Sequence, residues 1–294
     1  MRQIWLETEA KGDECIHQSL QKTIQKIQQT EPQTSKISMQ SRLLRYAAII
    51  ILPLITGMAT WWLAQSEYPE PEMIECYVPN GKQETIELPD GSLIQINSGS
   101  LLIYPRKFSE KKRSVFLSGE ANFTVTKNSQ KPFIVNTGPL KVEVLGTKFN
   151  VESYPNNDRI TTTLENGRIK IYKNDEPEKA IIMRPDEQVI YDGQNQSFKI
   201  GWVESSDCSA WTHGELRFIN QPLTQILTVL ERKYNVNIKL SPDIKSSDLF
   251  TMKFKRHETV EDAMNIFTQL AGNINYKIEG KEILLFKDRK EAIR

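Results

Sequence analysis

A run of nineteen uncharged residues, 46–64, constrains this 294-residue chain more than any other feature of its sequence. An α-helix rises about 1.5 Å per residue, so the run nearly matches the ~30 Å hydrocarbon core of a bilayer. Pro53 and Gly57 would weaken a soluble helix but are tolerated in a membrane helix. Trp61 and Trp62 suit the boundary between lipid and water. The sequence therefore predicts a single transmembrane helix over residues 46–64.

Two alternatives compete with this interpretation. A buried soluble helix is disfavoured because so long an uncharged run is rare outside membranes. A secretory signal peptide would have a short charged start and small residues before the cut. Here more than forty residues precede the run, and Trp62 would occupy the −3 position of a cut before Gln65. We therefore interpret the run as a retained anchor.

The two flanks of the anchor differ in charge. The basic residues before it are Lys26, Lys36, Arg42 and Arg45, and the acidic residues after it are Glu67, Glu70, Glu72 and Glu75. Under the positive-inside rule this places the N-terminus in the cytoplasm and exports the chain from about residue 65 onward. Cys76 and Cys208 are then outside, where a disulfide is permitted, and their spacing leaves their pairing open.

The N-terminal tail, residues 1–45, carries apolar residues at helical spacing: Ile16, Leu20, Ile24 and Ile27. A lone helix of this length is marginal in water. Two interpretations stay open, a solvated helix or a segment that becomes ordered when its apolar stripe docks on a cytoplasmic partner. Residues 65–75 contain acids and two prolines, which predicts an extended periplasmic spacer.

Residues 76–200 show short alternating segments separated by turn residues. Glu84–Leu88 and Leu93–Asn97, for example, flank a turn at Pro89–Ser92, where proline presets φ and glycine supplies φ > 0. No run of helical length interrupts this stretch. The pattern predicts an all-β domain, either a sandwich or a short solenoid.

After a predicted linker at 201–213, the periodicity changes. Residues 214–288 predict a small α+β domain of order β-α-β-β-α-β-β, with helices covering one sheet face, before a polar tail at 289–294. The predicted apolar stripes are Leu223, Ile226, Leu227 and Leu230 in the first helix and Ala263, Ile266, Phe267 and Leu270 in the second.

Motifs for enzyme chemistry are lacking in the sequence. His257-Glu258 begins like a zinc-protease motif, but Glu261 stands where the second histidine is needed. We predict neither a cofactor nor a metal site, and balanced charges, with a net charge of +1, do not suggest a nucleic-acid partner. Gly146-Thr147 has two interpretations, an ordinary bulge glycine or a dipeptide at which the threonine hydroxyl attacks the preceding carbonyl.

An ordered series of segments resembles the FecR family of single-span anti-sigma factors of Gram-negative bacteria, in the version common in Bacteroidota. The segments are VPNGKQETIELPDGSLIQINSGSLLIYP (78–105), GEANFTV (119–125), PFIVNT (132–137), VEVLGTKFNVESY (142–154), LENGRIKI (164–171), RPDEQVIY (184–191) and GELRFINQPLTQILTVLERKYNVNI (214–238). The last segment resembles the family's C-terminal domain, which is similar to the short N-terminal domains of secretins and TonB-dependent receptors. The resemblance covers residues 76–286.

The resemblance implies an inner-membrane protein whose cytoplasmic tail holds an extracytoplasmic-function sigma factor. Its periplasmic part would contact the N-terminal signalling domain of a TonB-dependent outer-membrane transducer, which senses a ferric siderophore or a glycan. Proteolysis, including a cut within the membrane, commonly carries the signal, and some members cleave themselves at a Gly-Thr in the position of Gly146-Thr147. Two departures stand out: Asp186 replaces the family's usual glycine, and the tail is shorter than usual.

These implications assign candidate residues to each step. The sigma-contact candidates are Trp5, Ile16, Leu20, Ile24 and Ile27, the candidates for intramembrane processing are Pro53 and Gly57, and the self-cleavage candidates are Gly146 and Thr147. Transducer contact is expected on the C-terminal domain, through an open sheet edge or an exposed apolar helix face. The alternative function is a membrane-tethered glycan-binding protein that uses Tyr104, Tyr154 and Tyr172 for stacking. A membrane-anchored hydrolase is disfavoured because no nucleophile and base are found.

Overall fold

The computed structural model divides the protein into two compact units, Met1–Pro69 and Glu70–Arg294. In the first unit, residues 18–28 form helix α1 and residues 51–62 form helix α2. Across the described residues, no helix has both the length and the hydropathy that a membrane crossing requires. Only part of the predicted anchor, 46–64, falls within them. The residues that the structure describes are 18–28, 51–62, 72–244, 248–272 and 274–287.

One sheet of thirteen strands dominates the described part of the second unit. Its strands are β1 (Met73–Val78), β2 (Glu84–Glu87), β3 (Leu93–Ile96), β4 (Ser100–Pro105), β5 (Arg113–Thr124), β6 (Phe133–Asn136), β7 (Leu140–Val144), β8 (Lys148–Ser153), β9 (Arg159–Asn166), β10 (Ile169–Lys173), β11 (Ile181–Met183), β12 (Glu187–Asp192) and β13 (Ser197–Trp202). A short 3₁₀ helix, Pro177–Lys179, precedes β11. The prediction that this domain is built from strands is confirmed.

The sheet curls because two sets of strands share β5. The first part of β5 pairs with β4 and, in parallel, with β6, whereas its second part pairs with β3 and β8. One half of the sheet therefore contains β1, β4, β6, β7, β10 and β11, and the other contains β2, β3, β8, β9, β12 and β13. Alternate residues of both halves enter a single hydrophobic core. The sequence left a sandwich and a short solenoid open, and the structure shows one curled sheet whose two halves enclose a single core.

Gly119 lies where β5 passes from one half of the sheet to the other. Its φ is +119°, a conformation that L side chains rarely adopt. A Cβ atom at this position would lie 2.3 Å from Oγ and 2.6 Å from Cα of Ser100 on β4. The same Oγ accepts a hydrogen bond of 2.9 Å from the amide of Glu120. Glycine is therefore required both by the backbone conformation and by the close approach of β4.

A buried ion pair fixes the start of β5. Arg113 Nη1 donates to Asp90 Oδ2 at 2.7 Å, and the two side chains are 2% and 13% exposed. Arg113 also donates to the carbonyls of Thr126 and Lys131. Asp90 in turn accepts from the amide and hydroxyl of Ser92, which closes the predicted turn at Pro89–Ser92. Asp90 therefore has a structural role, which fits its predicted turn position.

The C-terminal region follows β13 with short helices and the predicted order of elements. Its elements are α3 (Ser205–Cys208), a 3₁₀ helix (Ala210–His213), β14 (Leu216–Pro222), α4 (Leu223–Tyr234), β15 (Asn237–Leu240), β16 (Leu249–Phe254), α5 (Val260–Ala271), β17 (Ile274–Glu279) and β18 (Glu282–Lys287). Proline precedes the first residue of α4, and a capping box between Thr259 and Asp262 starts α5.

Two details of the predicted α+β domain are wrong. Its strands form two sheets rather than one: β14 pairs with β16, while β18 pairs with β15 and β17. Both small sheets and both helices, α4 and α5, contribute side chains to one second hydrophobic core. The helices therefore pack against two sheets rather than covering one sheet face. The stripe of α4 is confirmed, but in α5 Met264 is buried and Leu270 is 56% exposed. Leu270 belongs to the last turn of α5, where Ala271 rather than Leu270 packs against the second core.

The predicted linker, 201–213, is an ordered segment. β13 continues to Trp202, α3 follows, and Trp211 is buried in the second core. Asp186 helps to hold this segment, because its Oδ1 accepts a 2.6 Å hydrogen bond from the Ser205 hydroxyl. Asp186 has a φ of +62°, so this aspartate adopts the left-handed conformation that glycine adopts most readily.

Replacing Gly119 by alanine should lower the free energy of unfolding by about 2–4 kcal/mol, because strain at positive φ adds to the clash with Ser100. The matched control is Gly201→Ala on β13, where an added Cβ would have no heavy atom within 4 Å. That control should change the free energy by less than about 0.5 kcal/mol. Urea unfolding followed by circular dichroism measures both, and equal stability of the two variants would contradict the role of Gly119.

Candidate functional site

Helix α1 presents an apolar stripe to solvent. Leu20, Ile24 and Ile27 are 53%, 48% and 69% exposed. Spacings of four and three residues place the three side chains on one face of the helix. Trp5 and Ile16, the other predicted sigma contacts, lie outside the described residues. The described part of the tail therefore offers an exposed surface of three large apolar side chains.

Helix α2 contains both residues that were considered for intramembrane processing. Pro53 and Gly57 lie within its helical residues, and no heavy atom lies within 4 Å of an added Cβ at Gly57. Thr56 donates its hydroxyl to the carbonyls of Leu52 and Pro53, and Thr60 to those of Thr56 and Gly57. These hydroxyl groups therefore supply hydrogen-bond donors to the backbone carbonyls at and next to Pro53 and Gly57.

Gly146 and Thr147 join β7 to β8. Gly146 has a φ of +154°, and an added Cβ would lie 2.6 Å from Cα of Lys127. Thr147 is buried, and its hydroxyl donates to the carbonyl oxygen of Arg168 at 3.0 Å. The dipeptide therefore combines a glycine-only backbone with an oriented hydroxyl. Within the described residues, the acceptor of that hydroxyl is a backbone carbonyl, which is too weak a base to take the proton.

A cavity of about 420 Å³ lies between the curled sheet and the C-terminal domain. Its floor is the outer face of β5, β8, β9 and β12, whose alternate residues enter the core on the other side. Two cross-strand rows cover this face. They run from Glu120 through Glu152 and Thr161 to Ile190, and from Asn122 through Asn150 and Thr163 to Gln188. The opposite wall is formed by α3, the second 3₁₀ helix, β14 and α4.

Glu120 and Glu152 are directly opposite each other on β5 and β8. Glu120 Oε2 accepts from Asn97 at 2.7 Å, and Oε1 accepts from Asn150 at 2.9 Å. Burial first, and then the charge of Glu152, raise the pKa of Glu120 to about 7, while both amides and Arg232 oppose the shift. Burial also raises the pKa of Glu152, against the attraction of Arg232. This half-buried pair can therefore share a proton near neutral pH.

Arg232 and Trp211 bring the C-terminal domain onto this face. The guanidinium carbon of Arg232 lies 3.7 Å from the ring centroid of Tyr154, and the Arg232 carbonyl accepts from the Gly81 amide at 2.8 Å. Trp211 Nε1 donates to Asn150 Oδ1 at 3.2 Å, and the Trp211 carbonyl accepts from Gln83 Nε2 at 3.3 Å. Two residues of one domain thus meet polar groups of the other.

Comparisons with known proteins identify the two domains. A family model described as FecR protein matches residues 75–170, and one described as FecR, C-terminal matches residues 215–285. A crystal structure of a candidate anti-sigma factor from Parabacteroides distasonis has a TM-score of 0.69 and 30% identity. The match covers 74% of this chain and 100% of that one. The chain belongs to the FecR family.

A second structure of a candidate anti-sigma factor from the same organism has a TM-score of 0.68 and 30% identity. The match covers 73% of this chain and 99% of that one. None of the curated proteins matches.

The cavity therefore lies between the FecR domain and the FecR C-terminal domain. Sequence reasoning missed it. Glu120 and Asn122 flank the apolar Ala121, and Asn150 and Glu152 flank the apolar Val151. This alternation indicates strands with a polar outer face, as on any solvent-facing sheet. Only the tertiary contact places a second domain over that face. The one available signal was that Glu120 and Glu152 each lie next to an apolar residue, and this pattern does not give the register of their strands.

The tyrosines considered for glycan stacking are engaged elsewhere. Tyr104 packs against the FecR-domain core, and Tyr172 is buried, with its hydroxyl donating to Glu143 at 2.9 Å. Tyr154 is 6% exposed and lies beneath Arg232. A sugar ring needs a free aromatic face, so these three side chains do not form a stacking platform in this structure.

Both described cysteines are free thiols. Cys76 Sγ donates to Glu84 Oε2 at 3.3 Å, and burial, followed by that carboxylate, raises the pKa of the Cys76 thiol to about 11. Burial likewise raises the pKa of the Cys208 thiol. Both groups stay protonated at neutral pH, which makes them weak nucleophiles.

Self-cleavage at Gly146-Thr147 remains a prediction from the family resemblance. If it occurs, the purified fragment 70–294 should separate in denaturant into chains 70–146 and 147–294, seen by intact-mass spectrometry. Thr147→Val removes the attacking hydroxyl and should leave one chain. Thr126→Val, which removes a nearby hydroxyl, should not change cleavage. A single intact chain in the unmodified protein after prolonged incubation would contradict the hypothesis.

Proposed function

We propose that this FecR-family protein is a single-span anti-sigma factor of the inner membrane. Its cytoplasmic tail binds an extracytoplasmic-function sigma factor, and its periplasmic domains receive a signal from a TonB-dependent outer-membrane transducer. The uncharged run at 46–64 and the charge difference between its flanks support the membrane topology. The relation to candidate anti-sigma factors of known structure supports the regulatory role.

The exposed stripe of α1 carries the sigma-binding part of this proposal. Leu20, Ile24 and Ile27 place three large apolar side chains on one face of a helix whose other residues are Gln, Ser, Lys and Thr. Burying each such side chain in a partner is worth about 1.5–3 kcal/mol. A helix of this kind is stabilised by docking into an apolar groove. The stripe therefore fits a helix-in-groove contact with a sigma factor.

Two acidic substitutions on the stripe, Leu20→Asp with Ile24→Asp, should weaken binding of the partner sigma factor by at least about 100-fold. The measurement is the Kd of the full-length protein in detergent, by biolayer interferometry. Gln18→Asp with Gln25→Asp is the matched control, because it adds the same charges on the opposite face and should change the Kd little. Failure of the unmodified protein to bind would refute the anti-sigma assignment.

The transducer contact is proposed on the sheet formed by β14 and β16. A two-stranded sheet leaves one edge of each strand without a partner in the described part of the chain. Ile219 and Leu249 on this sheet are 57% and 61% exposed. An open edge with apolar side chains beside it suits the addition of a strand from another domain.

Leu249→Asp should reduce binding of the transducer's signalling domain to the fragment 70–294 by about tenfold or more, because it places a charge in an apolar contact. Leu284→Asp on β18 is the matched control: Leu284 is 44% exposed on the other sheet of the same domain. Isothermal titration calorimetry compares the two. If Leu284→Asp weakens binding and Leu249→Asp does not, the contact lies on the three-stranded sheet instead.

Processing within the anchor is the remaining part of the proposal. Pro53 and Gly57 lie in α2, where proline removes a backbone donor and glycine lowers helix stability. Both residues reduce the cost of locally unwinding the helix, which a protease must do to reach a peptide bond. This supports Pro53–Gly57 as the segment at which an intramembrane cut would release the cytoplasmic tail.

A further inference from the structure

We propose that the contact between the FecR domain and its C-terminal domain is a proton-linked latch, in which loss of a proton from the Glu120–Glu152 pair weakens docking. The two domains are closest at a polar face rather than at a shared hydrophobic core. Their hydrophobic residues form two separate clusters. Polar contacts between domains are compatible with separation, because the exposed groups can be rehydrated. The latch concerns contacts within this chain and does not depend on the identity of any partner.

Four of the contacts between the two domains involve Arg232 or Trp211. The Gly81 amide donates to the Arg232 carbonyl, and the Arg232 guanidinium lies over Tyr154. The Trp211 indole donates to Asn150, and Gln83 donates to the Trp211 carbonyl. Asn150 is also a donor to Glu120. The indole contact is therefore linked, through one amide side chain, to the carboxyl group that binds the proton.

The charges around the carboxyl pair are unbalanced. Glu120 faces Glu152 from β8 and Arg232 from α4. The other titratable or charged groups lining the cavity are Tyr154, Arg159, Asp207, Cys208, Glu215 and Arg217. Arg217 is already paired with Asp207 and Glu215. Glu152 makes no side-chain hydrogen bond within the described residues, and Arg232 is the cation that acts on both carboxyls. Two ionised carboxylates in this position would repel each other.

The pH dependence of docking follows from the burial of Glu120 and Glu152, which are more buried when the domains are docked than when they are apart. Docking removes the two carboxyls from water, which raises their pKa, and brings Arg232 close to them, which lowers it; burial is the larger of the two effects, so the pKa is higher in the docked state. In the docked state the pKa of Glu120 is about 7, against an ordinary value of 4.5. The docked state therefore binds a proton more tightly than the undocked state. Docking is strongest below the undocked pKa and weakens as pH rises towards 7.

Hydrogen exchange of the fragment 70–294, measured by NMR, tests the latch. This unit contains both hydrophobic cores, and the crystal structures of the relatives consist of the matching part alone, so the fragment folds independently. The Gly81 amide and the Trp211 indole report opening between domains. The Val125 amide, which donates to Thr147 within the FecR domain, reports opening elsewhere. From pH 5.5 to 7.5, protection of the first two should fall roughly 10- to 100-fold relative to Val125, after correction for intrinsic exchange.

Variants distinguish the carboxyl pair from a general effect of pH. Glu152→Gln removes the facing charge and should shrink the pH response of Gly81 and Trp211. Glu87→Gln, on an exposed strand position, should retain the response of the unmodified fragment. Equal pH responses of Gly81, Trp211 and Val125 in the unmodified fragment would overturn the proposal, as would an undiminished response in Glu152→Gln.

Discussion

The shared strand β5 is the constraint on which the FecR domain depends. Its twelve residues pair with β4 and β6 at one end and with β3 and β8 at the other. Residues from both ends enter one core, and the pairing partners of the strand change at Gly119. Phe123 then stacks on Phe149, with ring centroids 5.0 Å apart, and meets Phe133 of the other half edge-on at 6.2 Å. The aromatic contacts between the two halves of the sheet and the strand pairing along β5 therefore stabilise the same arrangement.

The buried pair of Arg113 and Asp90 anchors the same strand at its first residue. It connects the turn between β2 and β3 with the segments after β5 and before β6. Taking two charges from water is costly, and the hydrogen bonds from Ser92 and to two backbone carbonyls offset part of that cost. Within the described residues, Arg113 Nη2 has no hydrogen-bond partner, so the offset is incomplete.

The second domain uses the outer face of the curled sheet, and this arrangement bears on the proposed function. Transducer contact is proposed on β14 and β16. The FecR domain meets the C-terminal domain through Trp211 and Arg232, and β14 also lines the cavity between the two domains. In the proposed mechanism, a signal received by the C-terminal domain passes this polar contact before it reaches the chain that leads to the predicted anchor. Polar contacts of this kind can change between two states, unlike a continuous hydrophobic core.

Local pattern determined much of this protein: the strand periodicity of the FecR domain, the stripe of α4, the turn at Pro89–Ser92 and the order of elements after β14. These features follow from periods of 2 and 3.6 residues and from turn chemistry, which act over a few residues. The family resemblance, carried by motifs in order, also needed no structure. Tertiary structure alone decided that β5 joins two halves, that the C-terminal strands divide into two sheets, and that Trp211 is buried while Leu270 is exposed. It also brought Glu120, Glu152 and Arg232 together, because contacts between residues about 30 to 110 positions apart depend on register and docking, which no local pattern records.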